Sequence, residues 1–389
     1  MVTIVGSGMG EYNFNNINLD FTKYELIFCD KNFQTELTNV VKGSFKVVKE
    51  AILENINKEI LYVVSGSPTF FSGAILILNV LKKEKIPFKI IDNTSSLNYM
   101  LANEGVAIVK TSIVTLHGKS ELDLENFLTK DFTFVICDEN TPSVLKNGLS
   151  FLDEKDFTIT LGEKFGYKDE KFSITTLDSM IQNPPSMPYS LLIKREYKPL
   201  ENISSEDSIE HENGMITKSY KRHLSLQNLE LQPNHLLWDV GAGSGSVSID
   251  GYKRYKVKTI LFEKNLKRAE MIKNSLKKHK IINTKLHIGE ASELYKQEDS
   301  TPDRIFVGGG GEKVISELDY LYERLANNGL LVANFVTLEH LTTAIITLKK
   351  ANIKFDVKNI SLTTYKMSLL LPEPERIMYQ VIIKKGNNG

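Results

Sequence analysis

The chain has 389 residues, more than one ordinary domain, and this length predicts two or three domains. Hydrophobic residues make up 41% and charged residues 25%, which is typical of a globular protein with a substantial core. Because 48 Lys and Arg balance 48 Asp and Glu, we expect no nucleic-acid or membrane partner. The sequence shows neither a signal-peptide pattern nor an apolar run long enough to cross a bilayer, so we expect a cytoplasmic protein.

Strands and helices alternate through the first half. The β run Val2–Val5 ends at a glycine-rich turn, and Ser95 is placed to cap a helix containing Leu97, Met100 and Leu101. The other predicted elements are a helix over 69–85 and strands over 25–29, 60–64, 88–91, 112–116, 132–137, 157–161 and 190–194. Two α/β lobes with loops gathered at the strand ends fit this order.

A polar segment with one proline, residues 196–213, separates the two halves. Its composition predicts a linker, which we place at 197–205. The resulting domains are residues 1–196 and 206–389, and each contains its own glycine loop near a strand end.

The stretch Leu237–Gly245 is the most informative feature of the chain. A predicted strand ends at Asp239 and runs into a turn in which Gly241, Gly243 and Gly245 let the backbone approach a ligand closely. About 20 residues further on, a second strand ends at Glu263, where a carboxylate can hold a ribose diol. The short glycine spacing after an acid favours S-adenosylmethionine (SAM) over a dinucleotide.

The rest of the second half follows a Rossmann order. Leu266, Ala269, Ile272 and Leu276 mark one face of the next helix. The later predicted elements are strands over 285–288, 304–307 and 330–335, a helix from about Leu338, and a closing antiparallel pair over 355–362 and 376–384. The third and fourth strands lead into Gly289-Glu290-Ala291 and Gly308–Gly311, at the edge where open α/β sheets bind ligands.

The first half resembles the tetrapyrrole methylase superfamily, in its precorrin-6Y C5-methyltransferase branch. The matching stretches are residues 5–10, 65–71, 94–96, 116–118, 139–142 and 161–170. The resemblance implies a SAM site with contacts at Gly6, Gly8, Gly10, Ser65, Gly66, Thr94, Ser95, His117 and Thr141. The family usually has a proline at position 9, an acid at position 67 and Pro-Gly-Ile at 92–94, where this chain has Met9, Ser67 and Asp-Asn-Thr.

The second half resembles the decarboxylating precorrin-6 C15-methyltransferase family. The matching stretches are residues 214–218, the glycine loop, 303–311 and 331–339. The resemblance implies SAM contacts at Thr217, Asp239, Gly241, Ala242, Gly243, Ser244, Gly245, Glu263, Gly289, Glu290, Ala291 and Gly308, with Lys218, Gly309 and Gly310 as candidate catalytic residues. Two departures are Gly251, inside a helix, and Glu290, where Asp is commoner.

The two families fused in this order imply a bifunctional enzyme of cobalamin synthesis. Its expected reaction is methylation of a corrinoid precursor, with or without cobalt, at C5 and C15 with decarboxylation of the ring C acetate. Meso carbons of a reduced tetrapyrrole are already nucleophilic, so positioning and desolvation carry the catalysis. We expect two SAM sites, no protein-bound metal, and a homo-oligomer. Two alternatives stay open: a first half that only binds substrate, and an RNA methyltransferase, which the neutral charge disfavours.

Several residues have both a functional and a structural interpretation. Lys218, Arg222 and His223 are candidate contacts for substrate carboxylates. The basic stretch 253–258 and the lysine-rich helix 264–280 are predicted to face solvent, and Asn183–Ser186 is predicted to be a turn. Cys29 and Cys137 are interpreted as reduced core thiols.

Overall fold

The computed structural model describes residues 1–10, 14, 17–30, 40–198, 203–365 and 371–386. The chain divides into two compact units, both of the α/β class that the sequence predicts. The first consists of Met1–Gly118, Lys130–Pro142 and Thr158–Arg195, and the second of Lys119–Thr129, Ser143–Phe157 and Glu196–Gly389. Within the described ranges, no helix has both the length and the apolar character that crossing a bilayer requires.

A five-stranded parallel sheet forms the first lobe of the first unit. Its strand order is β3-β2-β4-β1-β5, so β1 lies between β4 and β5. The strands are β1 (Val2–Gly6), β2 (Leu26–Asp30), β3 (Val40–Gly43), β4 (Ile60–Val64) and β5 (Phe88–Ile91). The helices are α1 (Phe45–Glu54), α2 (Ala74–Lys83) and α3 (Ser96–Glu104). The buried apolar strands β1 and β4 pack against α1 and α2.

A mixed five-stranded sheet forms the second lobe, in the order β6-β7-β10-β8-β9. The strands β6 and β7 are parallel, and β10 is antiparallel to β7. The strands are β6 (Thr111–Thr115), β7 (Phe132–Ile136), β8 (Phe157–Glu163), β9 (Lys171–Thr175) and β10 (Tyr189–Arg195). Two helices belong to this part of the sequence, α4 (Thr141–Gly148) and α5 (Leu177–Gln182).

A seven-stranded sheet forms the second unit, in the order β13-β12-β11-β14-β15-β19-β16. Its strands are β11 (Leu236–Val240), β12 (Lys258–Glu263), β13 (Thr284–Ile288), β14 (Arg304–Val307), β15 (Leu330–Phe335), β16 (Phe355–Ile360) and β19 (Met378–Lys384), with β17 (Thr363–Tyr365) and β18 (Pro372–Pro374) as a separate pair. The first five are parallel, and β19 is antiparallel to β15 and β16.

Seven helices of the second unit lie within the described residues after 205. They are α6 (Ser219–Asn228), α7 (Ser246–Tyr255), α8 (Leu266–Lys278), α9 (Ala291–Gln297), α10 (Gly311–Ser316), α11 (Leu318–Arg324) and α12 (Leu338–Lys350). The largest core side chain is Trp238 on β11, which is fully buried and meets Phe262 of β12 edge to face at 5.4 Å. These central strands fix the edge at which the glycine loop begins.

Some element predictions are confirmed and others are wrong. Ser95 caps α3, since its side chain accepts the amide of Asn98 at 3.1 Å. The helix predicted from residue 69 begins only at Ala74, because Ser67 accepts the Thr69 amide and Phe71 has a positive φ of 47°. Leu266 is 75% exposed rather than on the buried face of α8, because it is the first residue of that helix. The sequence interpretation did not anticipate the strands β3, β9, β17 and β18 or the helices α1, α4, α5, α6, α9, α10 and α11.

The end of the predicted linker is built into the second unit. Residues 199–202 lie outside the described residues, but Ser204 is buried. Its amide donates to Asp250 at 2.9 Å, and its carbonyl accepts from Arg222 at 2.7 Å. Lys253 donates to its hydroxyl at 3.0 Å. The prediction that Lys253 faces solvent is therefore wrong, because its side chain helps to hold this segment.

Two segments of the predicted first domain also belong to the second unit. The side chain of Asn234 accepts the amide of Leu124 at 2.9 Å and donates to Asp123 at 3.0 Å. The amide of Asn283 donates to the carbonyl of Gly148 at 2.6 Å. Asn234 and Asn283 precede β11 and β13, so the segments 119–129 and 143–157 dock at the edge of the sheet opposite the glycine loop.

Candidate functional site

The glycine loop of the second unit follows β11 directly. The amides of Gly241 and Ala242 both donate to the carbonyl of Phe262 at 3.0 Å, which fixes the loop against the end of β12. Gly241 has a φ of 69°, and a Cβ at this position would lie 2.5 Å from the carbonyl carbon of Gly309. A side chain at 241 is therefore excluded both by conformation and by space.

The Glu263 carboxylate braces this loop. One oxygen accepts the amide of Gly243 at 2.8 Å, and the other accepts the amide of Asn265 at 2.9 Å. The side chain is only 5% exposed. The sequence predicted that Asp239 orients the loop, but the direct hydrogen bond to a loop amide comes from Glu263.

Asp239 lies deeper, next to the last residue of β11. It is 1% exposed, and its Oδ2 accepts the hydroxyl of Ser248 on α7 at 2.8 Å. Within the described parts of the chain, its Oδ1 has no hydrogen-bond partner. Burial of this carboxyl, with a smaller contribution from the charge of Glu263, raises its pKa to about 7. Its protonation state therefore changes near neutral pH.

The glycine run after β14 is a packed wall. The amide of Gly308 donates to the carbonyl of Val240 at 3.0 Å, and Gly309 lies against Gly241. Gly310 has a φ of 98°, and a Cβ there would lie 2.5 Å from Val314. This close packing contrasts with a flexible loop, the alternative interpretation of four glycines.

The third strand end completes this edge. The amide of Gly289 donates to the carbonyl of Glu263 at 3.1 Å, so the loops after β12 and β13 touch. Glu290 immediately precedes α9 and pairs with Lys264 at 3.2 Å, while Ala291 is buried. The structure thus brings the predicted residues after β11, β12, β13 and β14 to one edge of the sheet.

The basic candidates before β11 have different roles. Lys218 pairs with Glu206 at 2.6 Å, and this hydrogen bond raises the pKa of Lys218. Arg222 is fully buried, pairs with Asp250 and donates to the carbonyl of Thr217 at 2.7 Å. The prediction that Arg222 contacts substrate carboxylates is therefore wrong, because its guanidinium makes its hydrogen bonds within the folded chain. His223 accepts a hydrogen bond from Arg254.

In the first unit, the loops after β1 and β4 interlock. Gly8 and Gly66 exchange two backbone hydrogen bonds of 3.1 Å each. Asn93, after β5, donates to the carbonyl of Gly6 at 3.0 Å. A Cβ on Gly6 would lie 2.2 Å from the carbonyl oxygen of Gly66, so the close approach of these loops requires glycine there.

A cleft of about 410 Å³ opens beside these loops. Of the predicted first-site residues, it is lined by Gly8, Gly10, Ser65, Gly66 and Ser95. Its apolar and aromatic walls were missed by the sequence interpretation and include Met9, Phe70, Phe165, Tyr167, Met187 and Tyr189. They come from separated loops, and no spacing pattern connects them. Gly6 and Thr94 lie beside the cleft without lining it.

His117 and Thr141 lie at the second sheet of this unit. Asp138 connects the two loops, since its carboxylate accepts the amide of Gly118 at 2.6 Å and the hydroxyl of Thr141 at 3.2 Å. His117 is exposed, and neither it nor Thr141 lines the cleft. Cys137 does line it, but burial raises the pKa of this thiol, so it supplies no thiolate nucleophile at neutral pH.

The chemistry of both sites is that of binding and positioning. The described residues hold no group of three or more His, Cys, Asp or Glu side chains that could bind a metal ion. Each site instead offers backbone amides, glycine-lined walls and strand-end carboxyl or hydroxyl groups. Such a surface suits a nucleoside-bearing ligand at the carboxyl edge of a parallel sheet.

Comparison with known proteins gives the family of the second half. Residues 208–365 match the model of the precorrin methyltransferase domain. A probable cobalt-precorrin-6B C(15)-methyltransferase (decarboxylating) of Sulfurisphaera tokodaii is 32% identical over 162 residues, covering 41% of this chain and 83% of the relative. The chain belongs to the precorrin methyltransferase family. It is therefore a SAM-dependent methyltransferase.

The first half matches a second family model. Residues 29–181 match the tetrapyrrole (corrin/porphyrin) methylases. A precorrin-6Y C(5,15)-methyltransferase [decarboxylating] of a Sinorhizobium species is 33% identical over 133 residues, covering 34% of this chain and 32% of that protein. A solved precorrin-6y C5,15-methyltransferase of Geobacter metallireducens aligns with a TM-score of 0.45 and 29% identity, covering 48% of this chain and 100% of that one. The predicted recognition of both methylase families is confirmed.

Proposed function

We propose that this protein methylates a corrinoid precursor at C5 and C15 and removes the carboxylate of the ring C acetate, within cobalamin biosynthesis. The substrate class follows from the relatives of the second half, which are named as cobalt-precorrin-6B C(15)-methyltransferases (decarboxylating). The C5 reaction is supported by the tetrapyrrole methylase match of the first half and by the Sinorhizobium relative, which is named as a precorrin-6Y C(5,15)-methyltransferase [decarboxylating]. The main support for the proposal is that each of the two units has a candidate ligand site formed by glycine-rich loops at the ends of its strands.

In the second unit, we infer that Glu263 binds the ribose hydroxyls and that Gly243 allows close approach. The backbone at Gly243 is suited to this role, because a Cβ there would meet nothing nearer than an oxygen 4.0 Å away. Gly289, Glu290 and Ala291 lie where the base of the cofactor is expected. SAM supplies an electrophilic methyl group, and the chain's own contribution is to position the reactants and exclude water.

The glycine wall, Gly308–Gly311, is the proposed surface for the flat macrocycle. Backbone without side chains lets a planar ligand approach closely, and the wall is held in place by Gly241 and Val314. Lys218 is the proposed cation for a peripheral carboxylate, with its present partner Glu206 displaced. We therefore assign decarboxylation and C15 methylation to the second unit.

In the first unit, we infer a second SAM site around Gly8, Gly10, Ser65, Gly66 and Ser95. The cleft beside these residues has aromatic and thioether walls, which suit a large conjugated ligand or an adenine ring. None of the cleft's side chains is an activated nucleophile, which agrees with a substrate carbon that is nucleophilic by itself.

The test is a single reaction with the intact protein. Precorrin-6B or its cobalt form is incubated with SAM, and the products are analysed by mass spectrometry. We expect two added methyl groups and the loss of one carbon dioxide per substrate. One added methyl group with carbon dioxide loss would favour a first half that only binds substrate, and no added methyl group with either substrate would contradict the proposal.

A further inference from the structure

The loop after β5 presents a carboxylate beside the cleft. Asp92 follows β5 directly, at the edge where the loops after β1 and β4 interlock through Gly8 and Gly66. Its side chain is exposed, while Ser67, which lines the cleft, is buried. The hydroxyl of Ser67 donates to Asp92 Oδ1 at 2.6 Å. The carboxylate is thus fixed next to the cleft.

The direction of the hydrogen bonds around Ser67 follows from simple chemistry. An ionised carboxylate only accepts, so the Ser67 proton points to Asp92. The Thr69 amide donates to the Ser67 oxygen at 3.3 Å, and the Thr69 hydroxyl, 3.1 Å away, donates to it as well. Ser67 has then used its proton and both lone pairs. It positions Asp92 and has no capacity left to bind a ligand itself.

The other oxygen of Asp92 is available. Across the described part of the chain, Asp92 Oδ2 has no hydrogen-bond partner, and Asp92 takes part in no ion pair. The neighbouring Asn93 is committed to the loops, since it donates to Gly6 and accepts the amide of Thr94 at 2.8 Å. The loop after β5 therefore presents one oriented carboxylate oxygen.

We propose that Asp92 is the proton acceptor of the methylation carried out by the first unit, with Ser67 and Thr69 as its positioning residues. The inference rests on the proposed function. In that reaction the ring carbon gains the methyl group as the methyl–sulfur bond breaks, S-adenosylhomocysteine leaves, and the methylated macrocycle carries one excess proton. Asp92 takes this proton, so the macrocycle regains its neutral conjugated system and no further reactant is needed.

The experiment measures kcat and the KM for the tetrapyrrole in C5 methylation by the intact protein, for the wild type and for Asp92→Asn. A general base contributes about 10²–10⁴-fold, so we expect kcat to fall by about that factor in Asp92→Asn, with SAM binding retained. Because the substitution removes the proton acceptor and not a binding contact, we expect the KM for the tetrapyrrole to stay close to the wild-type value. Glu84→Gln, which removes an exposed carboxylate after α2, is the matched control and keeps the wild-type kcat.

Ser67→Ala separates positioning from structure. Without the Ser67 hydroxyl the carboxylate is no longer held in place, so we expect kcat to fall by less than in Asp92→Asn, with the KM for the tetrapyrrole unchanged. Ser67→Ala also tests the inference if Asp92→Asn fails to fold. A wild-type kcat in Asp92→Asn or in Ser67→Ala overturns the inference alone. A wild-type protein that adds no methyl group at C5 overturns the proposed function, and the inference with it.

Discussion

Asp239 and Glu263 end neighbouring strands, yet they have different electrostatic surroundings. Glu263 has both oxygens bonded to backbone amides, whereas Asp239 is buried with one oxygen unpartnered among the described residues. The sequence predicted a carboxylate at each position and a role in the loop for Asp239. It could not predict which of the two meets the loop, because that depends on the turn of the backbone after each strand.

The buried carboxyl of Asp239 predicts a pH dependence of stability. Its pKa is about 7 in the folded state against 3.8 for the exposed group, so the folded state binds more protons between these values. Its contribution to the free energy of unfolding therefore decreases as pH rises from about 4 to 7, by at most about 1.4 kcal/mol per pH unit, and is constant above 7. Asp239→Asn should remove this slope in urea unfolding measured from pH 4 to 8. An unchanged slope would mean that Asp239 is ionised throughout.

The Glu263 carboxylate predicts the strength of cofactor binding in the second unit. Glu263→Ala removes the acceptor for the ribose hydroxyls and also the brace on the Gly243 amide. We expect a loss of about 1.5–3 kcal/mol, or roughly 10- to 150-fold in SAM affinity at this site, by calorimetry. Glu270→Ala, an exposed position on α8, is the control and leaves the affinity unchanged. Equal affinities in both variants would refute the assignment.

At the scale of elements, patterned segments were predicted well. Each of the five parallel strands of the second unit was anticipated, and four of them, β11, β12, β14 and β15, contain a buried apolar run. The strands β3 and β9 were missed because their sequences contain no extended apolar run, and both strands are exposed along much of their length. The cleft was predicted in part, because its glycine loops have a pattern and its aromatic walls have none.

Gly251 in α7 predicts a stabilising substitution. A Cβ at this position would meet its nearest neighbour, Val257, at 3.4 Å, which is an ordinary contact. Gly251→Ala should therefore raise the free energy of unfolding by up to about 1 kcal/mol, because alanine costs less backbone entropy in a helix. Gly245→Ala is the contrasting variant, since Gly245 has a φ of 70°, and it should destabilise. Chemical denaturation of both proteins tests the pair, and a destabilised Gly251→Ala would show that the core there cannot accept a methyl group.

At the scale of the whole molecule, the sequence predicted two halves, each with its own site. It did not predict that segments of the first half belong to the second compact unit. The segments 119–129 and 143–157 belong to the second unit through hydrogen bonds of Asn234 and Asn283. Such contacts join residues more than 100 positions apart and leave no periodic pattern. A cut near Ser204 would break the hydrogen bonds to Asp250, Arg222 and Lys253. Intact chains with point substitutions are therefore the better test of two sites.

In our proposal the first unit methylates C5, and the second unit methylates C15 and decarboxylates the substrate. A pair of glycine substitutions tests this division most directly. Gly243→Val places a branched side chain beside the second loop, and Gly66→Val does so beside the first cleft, where its nearest neighbour is the flexible end of Met9 at 3.1 Å. Both glycines have a positive φ, 60° and 66°, so each variant is also less stable than the wild type and is compared at a temperature at which it is folded. Thermal unfolding and SAM binding at the other site verify that each variant is folded.

The measurement is the number of added methyl groups and the carbon dioxide released by each variant from precorrin-6B or its cobalt form. We expect Gly66→Val to release carbon dioxide normally and to give a product with one methyl group fewer. Gly243→Val should lose C15 methylation and still bind SAM in the first unit. Loss of carbon dioxide release in a folded Gly66→Val protein that binds SAM in the second unit would contradict the division of labour.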